Sequence, residues 1–341
     1  MKKIIIAIVA IVVLAIGAGF FYLNSLDKAF DPNQKDTKII TVESGSTTGD
    51  IGTLLETEEL IDSASSFKLF SKFKGYDGKY QAGTYSISPS MKLSEIAEIM
   101  ITGKTQSMTF TIPEGYTLFQ IANKLSEEGI VNKEKFMDLV ENGEFDYDFL
   151  KEAQTGENHL EGYLYPETYT VELNASEEDI INTMLSQFES VYTDEFSARA
   201  KELGYSQNQI MVIASIIERE CVIDDERSTV ASVIYNRLDV DMPLQMDSTV
   251  QYVLGQQKEN LTYKDTEIDS PYNTYVTAGL PPGPIGAPGI ASIKAALYPE
   301  KTEFIYFVVD KKLDGSHVFS KDYLKFLKDK NEYYQALENQ D

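Results

Sequence analysis

The sequence predicts an α+β protein: an N-terminal transmembrane helix, a repeated α+β region and a mixed α/β domain. Three observations predict this architecture. An uncharged apolar run covers residues 4–23, a strand–turn–helix pattern occurs twice, and an almost wholly apolar helix covers Ile210–Ile217. The chain has 341 residues, which is too long for one small core and suits two or three domains.

The apolar run predicts a membrane anchor. Twenty helical residues extend about 30 Å, which is enough to cross a bilayer core. Lys2 and Lys3 precede the run and Asp27 follows it, so residues 1–3 are expected in the cytoplasm and the rest outside. A cleaved signal peptide is the alternative, but no small-x-small cleavage site follows. We therefore predict a single-pass protein of the cell membrane, with residues 24–37 as a polar linker.

An internal repeat occupies the predicted region 38–140. The segment Ile40–Gly45 recurs as Phe110–Gly115, and the five residues after the first segment are matched 70 positions later: Thr47, Ile51, Leu55, Glu58 and Ile61 by Thr117, Ile121, Leu125, Glu128 and Val131. Each copy is typical of a short strand, a glycine turn and an amphipathic helix. Between the copies, Gly83–Ile87 predicts a strand, and apolar residues from Leu93 to Met100 predict a helix.

Strand–helix–helix–strand units of this size resemble LysM modules. That resemblance implies binding to N-acetylated glycans. The alternative is a small α+β spacer that holds the next domain, residues 141–341, away from the membrane.

The apolar helix ends in a carboxylate, Glu218. A helix that is apolar on all sides is expected to be buried. Burial and the helix C-terminus both disfavour a negative charge, so Glu218 is predicted to stay protonated near neutral pH, as a general acid requires. The alternative is a helix that simply reaches the surface at its first charged residue.

Two later segments add polar and rigid elements. Gln245, Asp247 and Thr249 are short polar residues of a turn, suited to sugar hydroxyls but also to helix capping. The segment 271–288, hereafter the Pro/Gly segment, holds five of the eleven prolines and is predicted to form a rigid side of a cleft. Further on, the strand-like run Phe304–Asp310 is expected to turn back so that His317 projects from a hairpin.

Composition excludes several kinds of function. Thirty basic against 54 acidic residues argue against a nucleic-acid partner, whose binding depends on Lys and Arg. With one cysteine and two histidines the usual zinc site cannot form, so we predict no metal and no cofactor. A Cys221 nucleophile would need a histidine base, and nothing in the sequence links it to His317.

Five motifs in order are similar to the YceG-like family of endolytic murein transglycosylases (MltG type). They are Ala214–Glu220, Ala231–Leu238, Met242–Val250, Tyr272–Tyr275 and Gly279–Ile285, with His317 and Phe319 as a further element. The resemblance runs from the anchor to the C-terminal helix. It implies a membrane-anchored enzyme that cuts nascent peptidoglycan strands internally, with Glu218 at the position of the catalytic glutamate. Cys221 departs from the expected Ala or Thr and predicts sensitivity to thiol reagents.

The implied reaction needs only one carboxyl. Its acid form protonates the glycosidic oxygen between N-acetylmuramic acid and N-acetylglucosamine, and its base form takes the proton from the C6 hydroxyl, giving a 1,6-anhydro end. We predict a set of residues that bind substrate or orient Glu218: Gln245, Asp247, Thr249, Asn273, Tyr275 and His317. Glu220 is assigned to structure or solvent, and peptidoglycan synthases are expected partners.

Two alternatives remain open. A hydrolytic muramidase would need a second carboxylate, for which Asp247 or Glu161 is available. A non-catalytic peptidoglycan-binding scaffold would keep the repeat without depending on Glu218.

Overall fold

The computed structural model describes residues 14, 17–19, 21–153, 158–258 and 260–339. These residues form a mixed α+β structure, as predicted. Most of the predicted transmembrane run, residues 4–23, lies outside the described residues. Within the described part of the chain, no helix combines the length and the apolar character needed to cross a membrane.

The chain divides into two compact units. The first ends at Thr109 and also contains Thr170–Ala175, and the second contains Phe110–Tyr169 and the chain from Ser176 onward. The predicted domain boundary between residues 140 and 141 stays a prediction. The structural division places the second copy of the repeat in the same unit as Glu218, because that copy is hydrogen-bonded to the Pro/Gly segment.

The first unit contains the first copy of the repeat and the elements that follow it: β1 (Lys38–Val42), α1 (Thr48–Thr57), α2 (Ala64–Lys74), β2 (Gly83–Ile87) and α3 (Leu93–Thr102). The predicted strand and helix between the copies are thus confirmed. Strands β1 and β2 pair antiparallel, with Lys38 opposite Ile87. Their inner faces and the helices enclose a core that includes Phe67, Phe70 and Tyr85.

The second copy repeats this order as β3 (Ser107–Thr111), α4 (Leu118–Glu127), α5 (Lys133–Asn142) and β4 (Thr168–Glu172). Strand β3 pairs with β4, and the division between the two units falls within both strands. The matched residues Thr47 and Thr117 each open the first helix of their copy with a capping box. The repeat in the sequence is therefore a repeat of structure.

The rest of the second unit is mainly helical: α6 (Glu177–Val191), α7 (Asp194–Leu203), α8 (Gln207–Glu220), α9 (Arg227–Asp239), α10 (Asp247–Leu254), α11 (Tyr263–Thr266), α12 (Ile290–Leu297), β5 (Tyr306–Val309), β6 (His317–Ser320) and α13 (Tyr323–Glu338). Short 3-10 turns cover Asp148–Glu152 and Asp224–Glu226. The hairpin predicted to carry His317 is confirmed, with Val309 opposite His317, although β5 is shorter than the predicted run.

Helix α8 is the buried helix that its sequence predicts. All eight residues from Ile210 to Ile217 are buried. Ser206 caps the helix by accepting a hydrogen bond from the Gln209 N–H, which satisfies one of the free donors of the first turn. Helices α9, α10 and α12 all pack against α8. The carboxylate near its end therefore lies at the centre of the unit.

Truncation of Phe67 to alanine should destabilise the first unit by about 3–5 kcal/mol, because the ring is fully buried and stacks on Tyr80 at 5.3 Å. Phe73 on the same helix is 46% exposed, and Phe73→Ala should cost much less. Urea unfolding followed by far-UV circular dichroism measures both variants. Equal losses of unfolding free energy in the two variants would contradict the assigned core.

Candidate active site

Glu218 lies in the last turn of α8 with its side chain only 7% exposed. One carboxylate oxygen, Oε1, accepts a hydrogen bond from Arg227 Nη1 at 3.2 Å. The other, Oε2, accepts from the Gly289 N–H at 3.0 Å. Gly289 is the N-cap of α12, so the carboxylate also faces the positive end of that helix.

The donors to Glu218 come from two segments that are distant in the sequence. Arg227 begins α9, and Gly289 stands at the N-terminus of α12. Both donate to the Glu218 carboxyl, and a hydrogen bond to a charged group is stronger than one between neutral groups. The proton that the sequence predicts on Glu218 near neutral pH stays a prediction.

Arg227 is the buried cation of the site. It is 7% exposed and begins α9, directly after the 3-10 turn. Its guanidinium donates to Glu218, to Asp224 Oδ1 at 2.9 Å and to the buried Ser292 Oγ at 2.5 Å. A buried carboxylate without such a partner would be strongly destabilising. Arg227 therefore provides Glu218 with a buried ion-pair partner.

The Pro/Gly segment is fixed to α8 through the main chain of Ile285. The Ile285 N–H donates to Ser215 Oγ at 3.0 Å, and its carbonyl accepts from Arg219 Nη1 at 2.8 Å. Ser215 and Ile285 are fully buried. These bonds set the position of Gly289, four residues further on, and so the position of its N–H against Glu218.

The turn of the second repeat copy pairs with the same segment. The Gly115 N–H donates to the Ala287 carbonyl at 2.7 Å, and the Ala287 N–H donates to the Tyr116 carbonyl at 2.8 Å. A Cβ on Gly286 would stand 2.7 Å from the Gly115 carbonyl oxygen, so only glycine fits there. The Pro/Gly segment and the turn of the second repeat copy are therefore joined through their main chains, and the cleft predicted beside this segment stays a prediction.

Glu161 is a second buried carboxyl of this unit and is 2% exposed. It accepts hydrogen bonds from the Leu118 N–H at 3.1 Å and from the Tyr252 hydroxyl at 3.1 Å. Burial raises the pKa of Glu161 to about 7, although these hydrogen bonds and the nearby Arg219 oppose the shift. Its hydrogen bonds join α4 to α10, which indicates a structural role.

Glu220 and Cys221 follow Glu218 but face other groups. The Glu220 carboxylate accepts from the Ser248 N–H at 3.0 Å and so caps α10, and burial raises its pKa. The Cys221 thiol is buried, and burial raises its pKa to about 12. A thiol with so high a pKa holds almost no thiolate at neutral pH. The structure therefore argues against the thiol sensitivity expected at Cys221.

The structure separates the predicted substrate-binding residues by exposure. Gln245 and Asp247 are exposed, and Asp247 Oδ1 accepts a hydrogen bond from the partly buried Tyr275 hydroxyl at 2.5 Å. Gln245 adopts a left-handed backbone with φ of 48°, and its N–H donates to the Thr274 carbonyl at 3.1 Å. Whether these three side chains bind substrate stays a prediction.

Thr249 and Asn273 are buried and are bonded within the protein. The Thr249 hydroxyl donates to the Met246 carbonyl at 2.7 Å, and the Asn273 amide donates to the carbonyls of Thr266 and Ile268. The Asn273 Oδ1 accepts from the Tyr275 N–H at 3.0 Å. Thr249 thus holds the start of α10 beside Asp247, and Asn273 holds the segment that carries Tyr275.

His317 contacts the turn that precedes Arg227. Its main-chain N–H donates to Glu226, and its Nδ1 lies 2.8 Å from Glu226 Oε2. The His317 side chain is 5% exposed. The hairpin is thereby joined to the residue before Arg227, so His317 supports the position of that cation.

Four residues of the site were not singled out by the sequence analysis: Glu114, Arg227, Gly289 and Ser292. Arg227 directly follows the acidic run Asp224–Glu226, and an arginine there is the one signal that was available. The others are brought to the site by the tertiary structure: Glu114 by the turn of the second repeat copy, and Gly289 and Ser292 by the start of α12.

The raised pKa of Glu161 predicts a pH-dependent stability. Native Glu161 retains its proton above the unfolded pKa of 4.5, so its contribution is complete below that pH and is lost as the pH rises through about 7. The loss is on the order of 3 kcal/mol. The unfolding free energy of Glu161→Gln, relative to that of wild type, should therefore rise between pH 4.5 and pH 7.5. Urea unfolding at both pH values measures this difference.

Glu134→Gln provides the control, since Glu134 is exposed. Its unfolding free energy relative to wild type should be the same at the two pH values. If Glu161→Gln also showed no change with pH, the proton on native Glu161 would be disproved.

Comparison with known proteins assigns this architecture to a family. A model of the YceG-like family matches residues 40–332. The crystal structure of the yceG-like protein lmo1499 from Listeria monocytogenes, at 2.6 Å, is similar with a TM-score of 0.58 and 37% identity, covering 86% of this chain and 99% of that one.

Two curated relatives bear the name endolytic murein transglycosylase. The Bacillus subtilis (strain 168) protein is 37% identical over 342 residues, covering 95% of this chain and 92% of the relative. The Streptococcus pneumoniae serotype 2 (strain D39) protein is 32% identical over 332 residues, covering 89% of this chain and 60% of the relative. The extent of the family match and of these identities shows that the chain belongs to the YceG-like family.

Proposed function

We propose that this protein is an endolytic murein transglycosylase, a lyase that cleaves peptidoglycan strands between N-acetylmuramic acid and N-acetylglucosamine. The observation that carries the proposal is a carboxyl, Glu218, that is buried yet held by a cation and a peptide N–H in the motif shared with the family. The 37% identity to a protein of that name, over most of both chains, supports it.

The proposed reaction proceeds without water as the nucleophile. The glycosidic bond at C1 of N-acetylmuramic acid breaks while its own C6 hydroxyl attacks C1, which leaves a 1,6-anhydro end. Because the nucleophile belongs to the substrate, its proximity supplies much of the rate enhancement. Glu218 is the proposed catalytic acid/base, and Arg227 fixes its carboxylate during proton transfer.

Three polar residues are the proposed sugar contacts. Gln245 and Asp247 are exposed, and the partly buried Tyr275 donates a hydrogen bond to Asp247. We assign Thr249 and Asn273 to holding the main chain around these residues in place. His317 acts through Glu226 and the start of α9, and is thus proposed to orient Glu218 rather than to touch the sugar.

The proposed cellular setting follows from the sequence. Residues 4–23 form a single membrane anchor with its N-terminus in the cytoplasm, so that the catalytic unit lies outside the membrane. There it would meet nascent strands, end their elongation, and work beside peptidoglycan synthases. The first copy of the repeat, with its strand–helix–helix–strand order, is the proposed LysM-like glycan-binding part.

A hydrolytic muramidase is the competing activity. The two carboxylates considered for it are both engaged: Glu161 joins two helices and Asp247 accepts from Tyr275. Neither is positioned by a contact with Glu218. These contacts favour the transglycosylase over a hydrolase that would rely on Glu161 or Asp247.

Mass spectrometry of peptidoglycan digested by the protein without its proposed anchor, as residues 24–341, distinguishes these activities. Wild type should release anhydro-muramyl ends, and Glu218→Gln should reduce their rate of formation by about 100- to 10,000-fold, because the amide cannot transfer the proton. Glu134→Gln is the matched control and should cleave at the wild-type rate. Reducing ends would indicate a hydrolase, and absence of cleavage by wild type would favour the scaffold.

A further inference from the structure

The turn that carries Glu114 is built directly onto the end of α8. Gly115 lies in the left-handed region with φ of 75°, and a Cβ there would stand 3.7 Å from Glu218 Cγ and 3.9 Å from Arg219 Cγ. Hydrogen bonds to Ala287 hold the turn in this position. The main chain beside Glu114 therefore passes close to the Glu218 side chain, with room for little more than one carbon atom between them.

The Glu114 carboxyl lies over Gly289. A Cβ on Gly289 would stand 1.7 Å from Glu114 Oε1, which means that the carboxyl occupies the space of a side chain there. The N–H of the same glycine donates to Glu218 Oε2 at 3.0 Å. Bond lengths then place the two carboxyls at most about 8 Å apart, on either side of one residue.

This carboxyl distinguishes the second repeat copy from the first. Ser44 occupies the matching position in the first copy, beside Gly45. Gly45 has the same left-handed backbone, with φ of 83°, but a Cβ there would meet no described atom within 4 Å. The turn is common to both copies, and the carboxyl and its contacts belong to the copy at the active site.

The two carboxyls have different partners. Glu218 accepts hydrogen bonds from the Arg227 guanidinium and the Gly289 N–H. The pKa of Glu114 is raised, first by partial burial of its carboxyl and next by the charge of Glu218, while Arg227 acts in the opposite direction. Three further titratable groups interact with this pair: Tyr165, Asp224 and Arg227.

Glu114 is also the more accessible of the two. The residue is exposed, whereas the Glu218 side chain is 7% exposed. A sugar that reaches the site from solvent meets Glu114 first. Environments that separate the proton affinities of two neighbouring carboxyls are the usual basis for dividing acid and base roles.

We propose that Glu114 is a second catalytic carboxyl, which delivers a proton to the departing glycosidic oxygen while Glu218 takes the proton of the C6 hydroxyl. This inference rests on the transglycosylase activity proposed above and divides its acid and base steps between two residues.

The proposed step balances within the enzyme and its substrate. The bond between C1 and the bridging oxygen breaks, and that oxygen takes the proton of Glu114 and leaves as a hydroxyl. The C6 oxygen bonds to C1, and its proton passes to the Glu218 carboxylate. Proton transfer from Glu218 back to Glu114 restores the starting state, so no other reactant is needed.

Steady-state release of anhydro-muramyl ends tests the proposal in wild type, Glu114→Gln, Glu114→Asp and Glu134→Gln across a range of pH. Glu114→Gln should lower kcat by about 100-fold or more with KM changed only a few-fold. Wild-type kcat should fall on the alkaline limb of its pH profile, where Glu114 loses its proton, and this fall should be absent from the residual activity of Glu114→Gln. Glu134→Gln should match wild type.

Glu114→Asp guards against a folding defect, because it keeps an acid at the position. It should show an intermediate kcat and retain the alkaline fall, with a melting temperature near that of wild type. The proposal is overturned if Glu114→Gln keeps kcat within about threefold of wild type, if only KM changes, or if its alkaline fall persists. Wild type without anhydro ends would instead refute the proposed function, which separates the two failures.

Discussion

The ion pair between Arg227 and Glu218 is the interaction on which the site depends. Both side chains are less than a tenth exposed, and Arg227 Nη1 lies 3.2 Å from Glu218 Oε1. Removing a carboxylate from water costs several kcal/mol unless a cation and hydrogen-bond donors replace the lost hydration. The Gly289 N–H and the Ser292 hydroxyl complete that replacement around the pair. The burial of Glu218 on α8 therefore requires both the start of α9, which supplies Arg227, and the N-terminus of α12, which supplies Gly289.

The Pro/Gly segment fixes the position of the main-chain donor to Glu218. Its Ile285 is bonded to α8 through both its N–H and its carbonyl, and its Ala287 is bonded to the turn of the second repeat copy. Proline restricts the segment in the unfolded chain, and glycine allows the close approach of the two backbones. Because Gly289 follows this segment, the donor to Glu218 is set by main-chain bonds rather than by a flexible side chain.

The two copies of the repeat share an order of strand, turn and helix but have different surroundings. Both copies have a capped helix after a glycine turn, yet only the second lies in the unit that contains Glu218. A Cβ on Gly45 of the first turn would meet no described atom within 4 Å, whereas the Glu114 carboxyl of the second turn lies over Gly289. The acidic chain thus uses its carboxyls in distinct ways: Glu161 joins helices, Glu220 caps a helix, and Glu114 lies near Glu218.

The sequence by itself determined the secondary structure, the burial of α8 and the position of Glu218, because periodicity, capping residues and apolar runs act over short distances. It also carried the family motifs. Only the tertiary structure decided the charge environment of Glu218, since Arg227, Gly289 and Glu114 reach it from three separate segments. The same holds for Thr249 and Asn273. Their polar side chains suit a sugar site, but both are buried and form hydrogen bonds within the protein. Short-range patterns specify elements, whereas proton affinity and ligand access depend on which elements meet.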